Sequence, residues 1–398
     1  MRIALNIEVV GRRGGAEKYA GSLARHLASA GHEVHVVARS VAPGELPPEV
    51  QWHPVRLARL PGLGGLRAYR FAAASQRLLD HLPVDLILGF SKTWRQHAYL
   101  SVGGPHPATL EHSGRRFRSA WSRIAWRLGK LLSLRQWSFR VIDGKAFSRG
   151  RAPHVIAVSR MSAEHFQKHH GVPAERISVV YNGLDDTNPL EDAATARRRF
   201  RGRLGLADDD TAVLFVACNY ALKGLEPLLE AFAPVAARMT QPKLVVCGNN
   251  RIGRYRRQAR RLGIENRVHF LGFLEDVREC YAGCDAFALP SFYDPCSLVV
   301  LEAMAAGLPV ITTRQNGAAE LLTEGVDGFV VESPWAIESM TDRLVRLAGD
   351  AELRRSMGRR AADQVRAFTL KTRLAELLAV LERIAPQGLS THGSRSAA

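Results

Sequence analysis

Residues 290–313 read PSFYDPCSLVVLEAMAAGLPVITT. Asp294 stands in a favoured N-cap position and Pro295 at the first helical position, where a missing N–H costs nothing. The apolar run from Leu298 to Ala306 continues the helix, Gly307 ends it, and Pro309 opens a buried strand. Two carboxylates, Asp294 and Glu302, stand eight residues apart. At about 1.5 Å per residue they lie roughly 12 Å apart along a helix axis, the span of a nucleotide carrying a sugar. The amides at the start of the helix, around Ser297, Leu298 and Val299, suit a diphosphate through unpaired N–H groups and the positive dipole end. Asp294 also reads as a plain N-cap. Glu302 does not: its neighbours Leu298, Ala305 and Ala306 are apolar or small, and an unpaired buried carboxylate is costly, which favours a ligand partner.

Working outward, the chain repeats one pattern twice. The first half opens with a strand at 3–9, a turn at Gly14-Gly15, a helix at 16–30 and a strand at 31–39. Further strands are expected at 85–90, 99–102 and 154–158, with a helix at 160–170. The second half restarts with strands at 212–217, 243–247, 268–271, 285–289, 309–312 and 328–331, separated by helices. Two α/β units joined near 183–210 predict two Rossmann-like domains facing across a cleft.

Several residues on this frame carry chemistry. Gly14-Gly15 lets backbone amides approach a phosphate or sugar, or is a plain tight turn. Lys223, in NYALKGLEPLLEAF (219–232), follows a strand and precedes a helix, where a point charge suits a diphosphate. Gly248 ends KLVVCG, and Asn316-Gly317 closes a pocket or makes an ordinary turn. On the other side, GFSKTW (89–94) and SVGGPHPATLEH (101–112) fall at strand ends. There His106 is either a group that polarises an acceptor hydroxyl or a structural histidine in a Pro-flanked loop.

The 294–302 spacing resembles the E-x7-E signature of the family 4 retaining glycosyltransferases, with Asp294 replacing the first glutamate. The resemblance covers nearly the whole chain and implies the GT-B fold. It implies a donor domain at 184–360, an N-terminal acceptor domain at 1–183, and a final helix at about 360–385 that crosses back to the first domain. It further implies ribose contact by Glu302, sugar contact by Asp294, diphosphate contact by Lys223 and Gly14-Gly15, and base contact at Gly248, Gly272 and Phe273. The family commonly places an arginine five residues before the lysine; here that residue is Cys218. The resemblance is to the branch that builds lipopolysaccharide core and related glycans, and it places His106 on the acceptor side. It implies a UDP-linked sugar as substrate, no cofactor and no metal, no Asp-x-Asp pair standing at a strand end. A nucleotide-dependent oxidoreductase is the competing enzyme, but GRRGGAEKYAG lacks its G-x-G-x-x-G turn. A non-catalytic sugar- or lipid-binding protein of the same fold is the third reading.

Composition adds a partner. At 46 % hydrophobic and 23 % charged, 398 residues make an ordinary globular chain of two or three domains. No run is long enough to cross a bilayer, no signal-peptide layout opens the sequence, and five cysteines fit no disulfide or zinc framework, so a cytoplasmic protein is expected. The net charge is +17, and residues 112–151 hold eleven Arg or Lys against Asp143 alone, which is +10. Arg115, Arg116, Arg118, Arg123, Arg127 and Lys130 interleave there with Trp121, Trp126 and a helical row of leucines. Two readings stand: a basic amphipathic helix on the anionic inner face of a membrane, near a glycolipid or glycan acceptor, or a domain helix with solvated arginines. No motif supports nucleic acid. The tail, 386–398, is expected to be disordered.

Overall fold

The computed structural model describes residues 1–11, 15–58, 62, 64–90, 92–148, 152–184 and 192–385. The first domain holds β1 (Arg2–Asn6), β2 (Val9–Val10), β3 (Glu33–Ala38), β4 (Ser40–Val41), β5 (Gln51–Pro54), β6 (Leu86–Gly89), β7 (Ala98–Ser101), β8 (His154–Ala157) and β9 (Ile177–Val179). Seven of these form one parallel sheet in the order β5-β3-β1-β6-β7-β8-β9, and β2 pairs with β4 apart from it. Its helices are α1 (Gly15–Ser29), α2 (Arg67–Leu79), α3 (His106–Gly114), α4 (Ala120–Leu131), α5 (Leu134–Ala146) and α6 (Arg160–His170). The strands are apolar on both faces because crossover helices cover both, as a parallel sheet requires.

The second domain begins with α7 (Ala193–Leu204). A six-stranded parallel sheet follows, built from β10 (Thr211–Val216), β11 (Pro242–Cys247), β12 (Val268–Gly272), β13 (Ala286–Leu289), β14 (Val310–Thr313) and β15 (Gly328–Val331). Its order is β12-β11-β10-β13-β14-β15, so the direction of strand addition reverses beside β10 as it does beside β1 in the first sheet. Ligands bind beyond the strand ends at such reversals. The intervening helices are α8 (Leu225–Arg238), α9 (Gly253–Arg261), α10 (Arg278–Gly283), α11 (Leu298–Ala305), α12 (Ile337–Gly349) and α13 (Ala351–Val365).

The chain returns to the first domain at 368–370, later than the 360 read from sequence. The Leu184 amide donates to Phe368 O at 2.8 Å, and the Leu370 amide to Leu184 O at 2.6 Å. From there α14 (Leu370–Ile384) runs back, and Arg383 Nη2 donates to Ser178 Oγ at 2.9 Å beside β9. Helix α13 stays with the donor domain: Gly358 lies so close to Gly307 that a Cβ there would stand 1.9 Å from Gly307 O. Gly358→Ala is therefore expected to cost about 1–3 kcal/mol, as overpacked sites do. Gly349→Ala, whose Cβ would meet Met239 at an ordinary 3.7 Å, serves as the control; the two unfolding midpoints check it.

Candidate active site

The segment before α11 is fastened side-on to the segment after β14. The Asp294 amide donates to Gln315 O and its carbonyl accepts from the Gly317 amide, each at 2.8 Å. Asn316 Oδ1 accepts from the Ser297 amide at 3.2 Å and the Ala318 amide at 3.1 Å, while its Nδ2 donates to Thr312 Oγ1 at 3.0 Å. Thr313 Oγ1 donates to Ser291 O at 2.6 Å. Asn316-Gly317 is thus a brace. Asp294 is not the N-cap expected from sequence: Ser297 holds that position and the helix starts at Leu298, because Asp294 is spent in an extended bridge with Asn316. No side chain caps α11, so the amides of Leu298 and Val299 remain available at its N-terminus.

Lys223 reaches this site, and its Nζ forms an ion pair with Asp294 Oδ2, both side chains largely buried. Gly224 allows it: φ is +79°, and a Cβ would stand 1.9 Å from Pro290 O. From the first domain, Gly15 approaches until its Cβ position lies 3.4 Å from Leu298 Cδ1, which brings the first residue of α1 onto the start of α11. Gly14 lies outside the described residues. Lys18, one turn along α1, is within electrostatic reach of Glu302 and of Asp276. Glu302 is hydrogen-bonded by the Tyr281 hydroxyl at 2.8 Å, and burial pushes its carboxyl above the ordinary carboxylate range.

The base-side loops close on one another. The Gly248 amide donates to Gly272 O at 2.7 Å, and Asn250 Oδ1 accepts from the Phe273 amide at 2.8 Å. Phe273 leaves its ring half exposed, a flat apolar face. Cys218 is exposed, and its carbonyl accepts from Asn249 Nδ2 at 2.6 Å.

On the acceptor side the structure separates two histidine groups. His106 turns into the domain: its Nε2 is 2.5 Å from Gln136 Oε1 and its ring packs edge-on against Phe139. Buried in this way, it is a structural histidine of the α3–α5 contact, and we withdraw it as the acceptor-positioning group. Lys92 pairs with Asp143 at 3.4 Å in the same region. The histidines that meet the donor domain are His112, stacked on Tyr293 with centroids 5.2 Å apart, and His165, whose Nδ1 is 3.3 Å from the Tyr293 hydroxyl. Glu320 adds a clasp nearby, accepting from the Arg160 and Met161 amides at 2.9 and 2.7 Å and from the Tyr181 hydroxyl at 2.8 Å. Sequence reading missed Tyr281, Tyr293, His165 and Glu320. Tyr281 and His165 lie in helices with no motif of their own, whereas Tyr293 stands immediately before Asp294 and Glu320 follows Asn316-Gly317, so those two had a signal in the sequence.

The basic segment divides. The stretch that carries Arg115, Arg116 and Arg118 touches the second domain, although the side chains of Arg115 and Arg118 stay half exposed. Arg115 pairs with Glu111, its carbonyl accepts from Trp335 Nε1 at 3.0 Å, and Arg118 pairs with Glu230 and covers the Trp335 ring at 4.2 Å. Arg116 lies over Phe117 and Trp126, and Trp126 packs onto Gly114. Helix α4 has no buried residue at all. Trp121 is 80 % exposed, Ile124, Leu128 and Leu131 are exposed, and Leu132 beyond its end is 88 % exposed. The side chains of Arg123 and Arg127 make no ion pair among the described residues; Lys130 lies over Trp126 at 5.6 Å. This apolar face is not core. No helix among the described residues is long and apolar enough to cross a membrane.

Residues 13–188 match the family model described as Glycosyltransferase Family 4, and residues 196–364 the one described as Glycosyl transferases group 1. The chain belongs to the GT-B glycosyltransferases of this family and is an enzyme. That sets aside the oxidoreductase and the non-catalytic module. It is similar to the lipopolysaccharide glucosyltransferase WaaG of Escherichia coli strain K12, at 24 % identity over 372 residues, 92 % of this chain and 95 % of that one. It is also similar to the D-inositol 3-phosphate glycosyltransferase of Corynebacterium glutamicum strain R, at 29 % over 398 residues, 92 % and 91 % of the two chains. The crystal structure of WaaG shares the fold with a TM-score of 0.80 at 22 % identity, covering 97 % of this chain and 100 % of that one. Anabaena HepE in complex with UDP shares it at 0.71 and 23 % identity, over 96 % and 100 %.

The interface histidines have a pH consequence. Burial pushes both His112 and His165 down to about 4 from 6.5, with Arg115, Lys168 and His169 adding repulsion and Glu111 opposing it. The unfolded chain therefore takes up these protons first, so stability is complete above pH 6.5 and is lost as pH falls toward 4. Unfolding midpoints measured across that window are expected to drop, and His112→Gln with His165→Gln to make the drop shallower, the remainder coming from other buried histidines such as His106 and His170.

Proposed function

We propose that the protein transfers a sugar, with retention, from a UDP-linked donor to a hydroxyl of an anionic glycan or glycolipid in cell-surface glycan synthesis, of which lipopolysaccharide core is one example. The observation that carries the reading is the convergence on α11: Gly15, the first residue of α1 in one domain, meets Leu298, while Lys223, Asp294 and Glu302 surround the same helix start from the other. The relative that acts in lipopolysaccharide synthesis and the fold neighbour that binds UDP support the substrate classes.

In this reading Glu302 accepts hydrogen bonds from the ribose hydroxyls, and Phe273, Gly248 and Gly272 frame the base. The diphosphate meets Lys223, the amides of Leu298 and Val299, and the glycine turn. Asp294 is held beside it by Lys223 and contacts the sugar. As the bond from sugar to phosphate oxygen breaks, negative charge develops on that oxygen, where fixed positive groups lower its energy without a metal ion. The acceptor hydroxyl attacks from the same face and gives its proton to the departing phosphate oxygen. No protein base is required, which accords with His106 being buried elsewhere.

Helix α4 is proposed as the membrane contact, with the enzyme peripheral on the cytoplasmic face. Its exposed tryptophan and leucines enter the interface while Arg123, Arg127 and Lys130 meet anionic headgroups.

Incubation with UDP-, GDP- and ADP-sugars tests the donor reading; hydrolysis or transfer from the UDP series is expected, and turnover of none would refute it. Glu302→Ala is expected to weaken UDP binding about 30- to 100-fold by calorimetry, the cost of removing one partner of a buried charged contact. Lys223→Ala is expected to lower kcat roughly 100-fold, as loss of one charge-stabilising donor does. For the membrane, Trp121→Ser with Arg123→Glu and Arg127→Glu is expected to abolish cosedimentation with anionic vesicles while leaving UDP affinity unchanged. Undiminished cosedimentation would remove α4 from the membrane contact.

A further inference from the structure

Glu302 has one side-chain hydrogen-bond partner among the described residues. The Tyr281 hydroxyl donates to its Oε2 at 2.8 Å, and Oε1 has no hydrogen-bond partner among the described residues. The phenol comes from α10, a different crossover unit of the same sheet, and is only 5 % exposed. Its ring rests 6.2 Å from Phe287 of β13, centroid to centroid. Val299 O is 3.5 Å from the same hydroxyl, too far to compete for its one proton. The packing that fixes the ring therefore fixes the hydroxyl, and the hydroxyl fixes one oxygen of the carboxylate.

A glutamate side chain left alone on a helix has several rotamers, and a carboxylate that must accept from two adjacent hydroxyls has one useful orientation. Committing Oε2 to Tyr281 selects an orientation and leaves Oε1 for a ligand. The charged and titratable groups facing the carboxylate are Tyr281 of α10 and Lys18 of α1. Tyr281 is the neutral, buried and rigid one, while Lys18 is exposed and belongs to the opposite domain.

We propose that Tyr281 is a positioning residue for donor recognition: it orients the Glu302 carboxylate toward the ribose diol and so sets the preference for ribonucleotides over nucleotides that lack the diol. This rests on Glu302 as the ribose contact.

The test measures binding of UDP, GDP and ADP, and of their 2′,3′-dideoxy forms, to the full chain, to Tyr281→Phe and to Glu302→Ala. Removing a hydrogen bond to a charged group is expected to weaken the preferred ribonucleotide roughly 10-fold in Tyr281→Phe, with the dideoxy form changed less than about 2-fold. Retained dideoxy affinity also shows that the variant is folded. With saturating donor, kcat is expected to stay within about 2-fold, because the acting groups of the transfer are untouched. The acid limb of ribonucleotide binding is expected to move to higher pH, since the phenol's hydrogen bond lowers the Glu302 pKa. Equal weakening of ribo and dideoxy forms, or an unchanged preference, overturns the inference. Where Tyr281→Phe does not fold, Tyr281→Met fills similar space without the donor and must lose the preference; a preference retained there overturns the inference too. If Glu302→Ala also leaves the preference intact, or no nucleotide binds the unaltered chain, the ribose reading itself falls.

Discussion

The start of α11 is an uncapped helix N-terminus held rigidly at the edge of a parallel sheet, and the rest of the site depends on it. A helix this short is not stable through its own hydrogen bonds. It is held by burial of Val300, Leu301, Ala303 and Met304 and by the Asn316 side chain, which satisfies the Ser297 amide and ties it to Ala318 and Thr312. Asn316 meets the amide that precedes the helix and leaves those of Leu298 and Val299 open. A side-chain cap at Ser297 would have used one of them. The brace therefore does two things at once: it fixes the helix end in space, and it keeps the end unsatisfied.

That open end governs how the charges around it are arranged. Lys223 and Asp294 neutralise each other where both are largely removed from water, an arrangement that is strongly destabilising only when one partner is lost. In the proposed reading, a diphosphate arriving between Lys223 and the α11 amides would compete with Asp294 for the ammonium, and Asp294 would turn to the sugar hydroxyls.

The two parallel sheets were legible in the sequence because their central strands are buried on both faces and read as solid apolar runs, whereas the exposed, polar edge strand β5 was not. The placing of Lys223 and Gly15 beside the start of α11 follows from a local pattern, a strand end followed by a helix start. Tyr281 was not legible, because its role is set by the distance between α10 and α11, which no local pattern encodes. Asp294 was misplaced as a cap for the same reason: Pro295 at a first helical position is a good local rule, but the long-range bridge to Asn316 outweighs it. His106 failed in another way. A Pro-flanked loop at a strand end marked the right neighbourhood, and only packing against Gln136 and Phe139 shows which way the ring turns.

The basic segment shows why charge counted along a sequence is a poor map of a surface. Of the six cations named on it, Arg115, Arg116 and Arg118 hold the turn before α4 against the donor domain and against Trp126, where a guanidinium stacks as well as it pairs. Arg123, Arg127 and Lys130 lie on α4, beside apolar side chains that nothing among the described residues covers. The turn that carries α4 is therefore the same turn that reaches across the cleft to Glu230 and Trp335. Helix α4 has no fully buried residue and holds its own domain mainly through Trp126 on Gly114 and Phe117, so its orientation depends on that contact and on the turn before it. The exposed face and the cleft are parts of one continuous set of contacts, and the position of one constrains the position of the other.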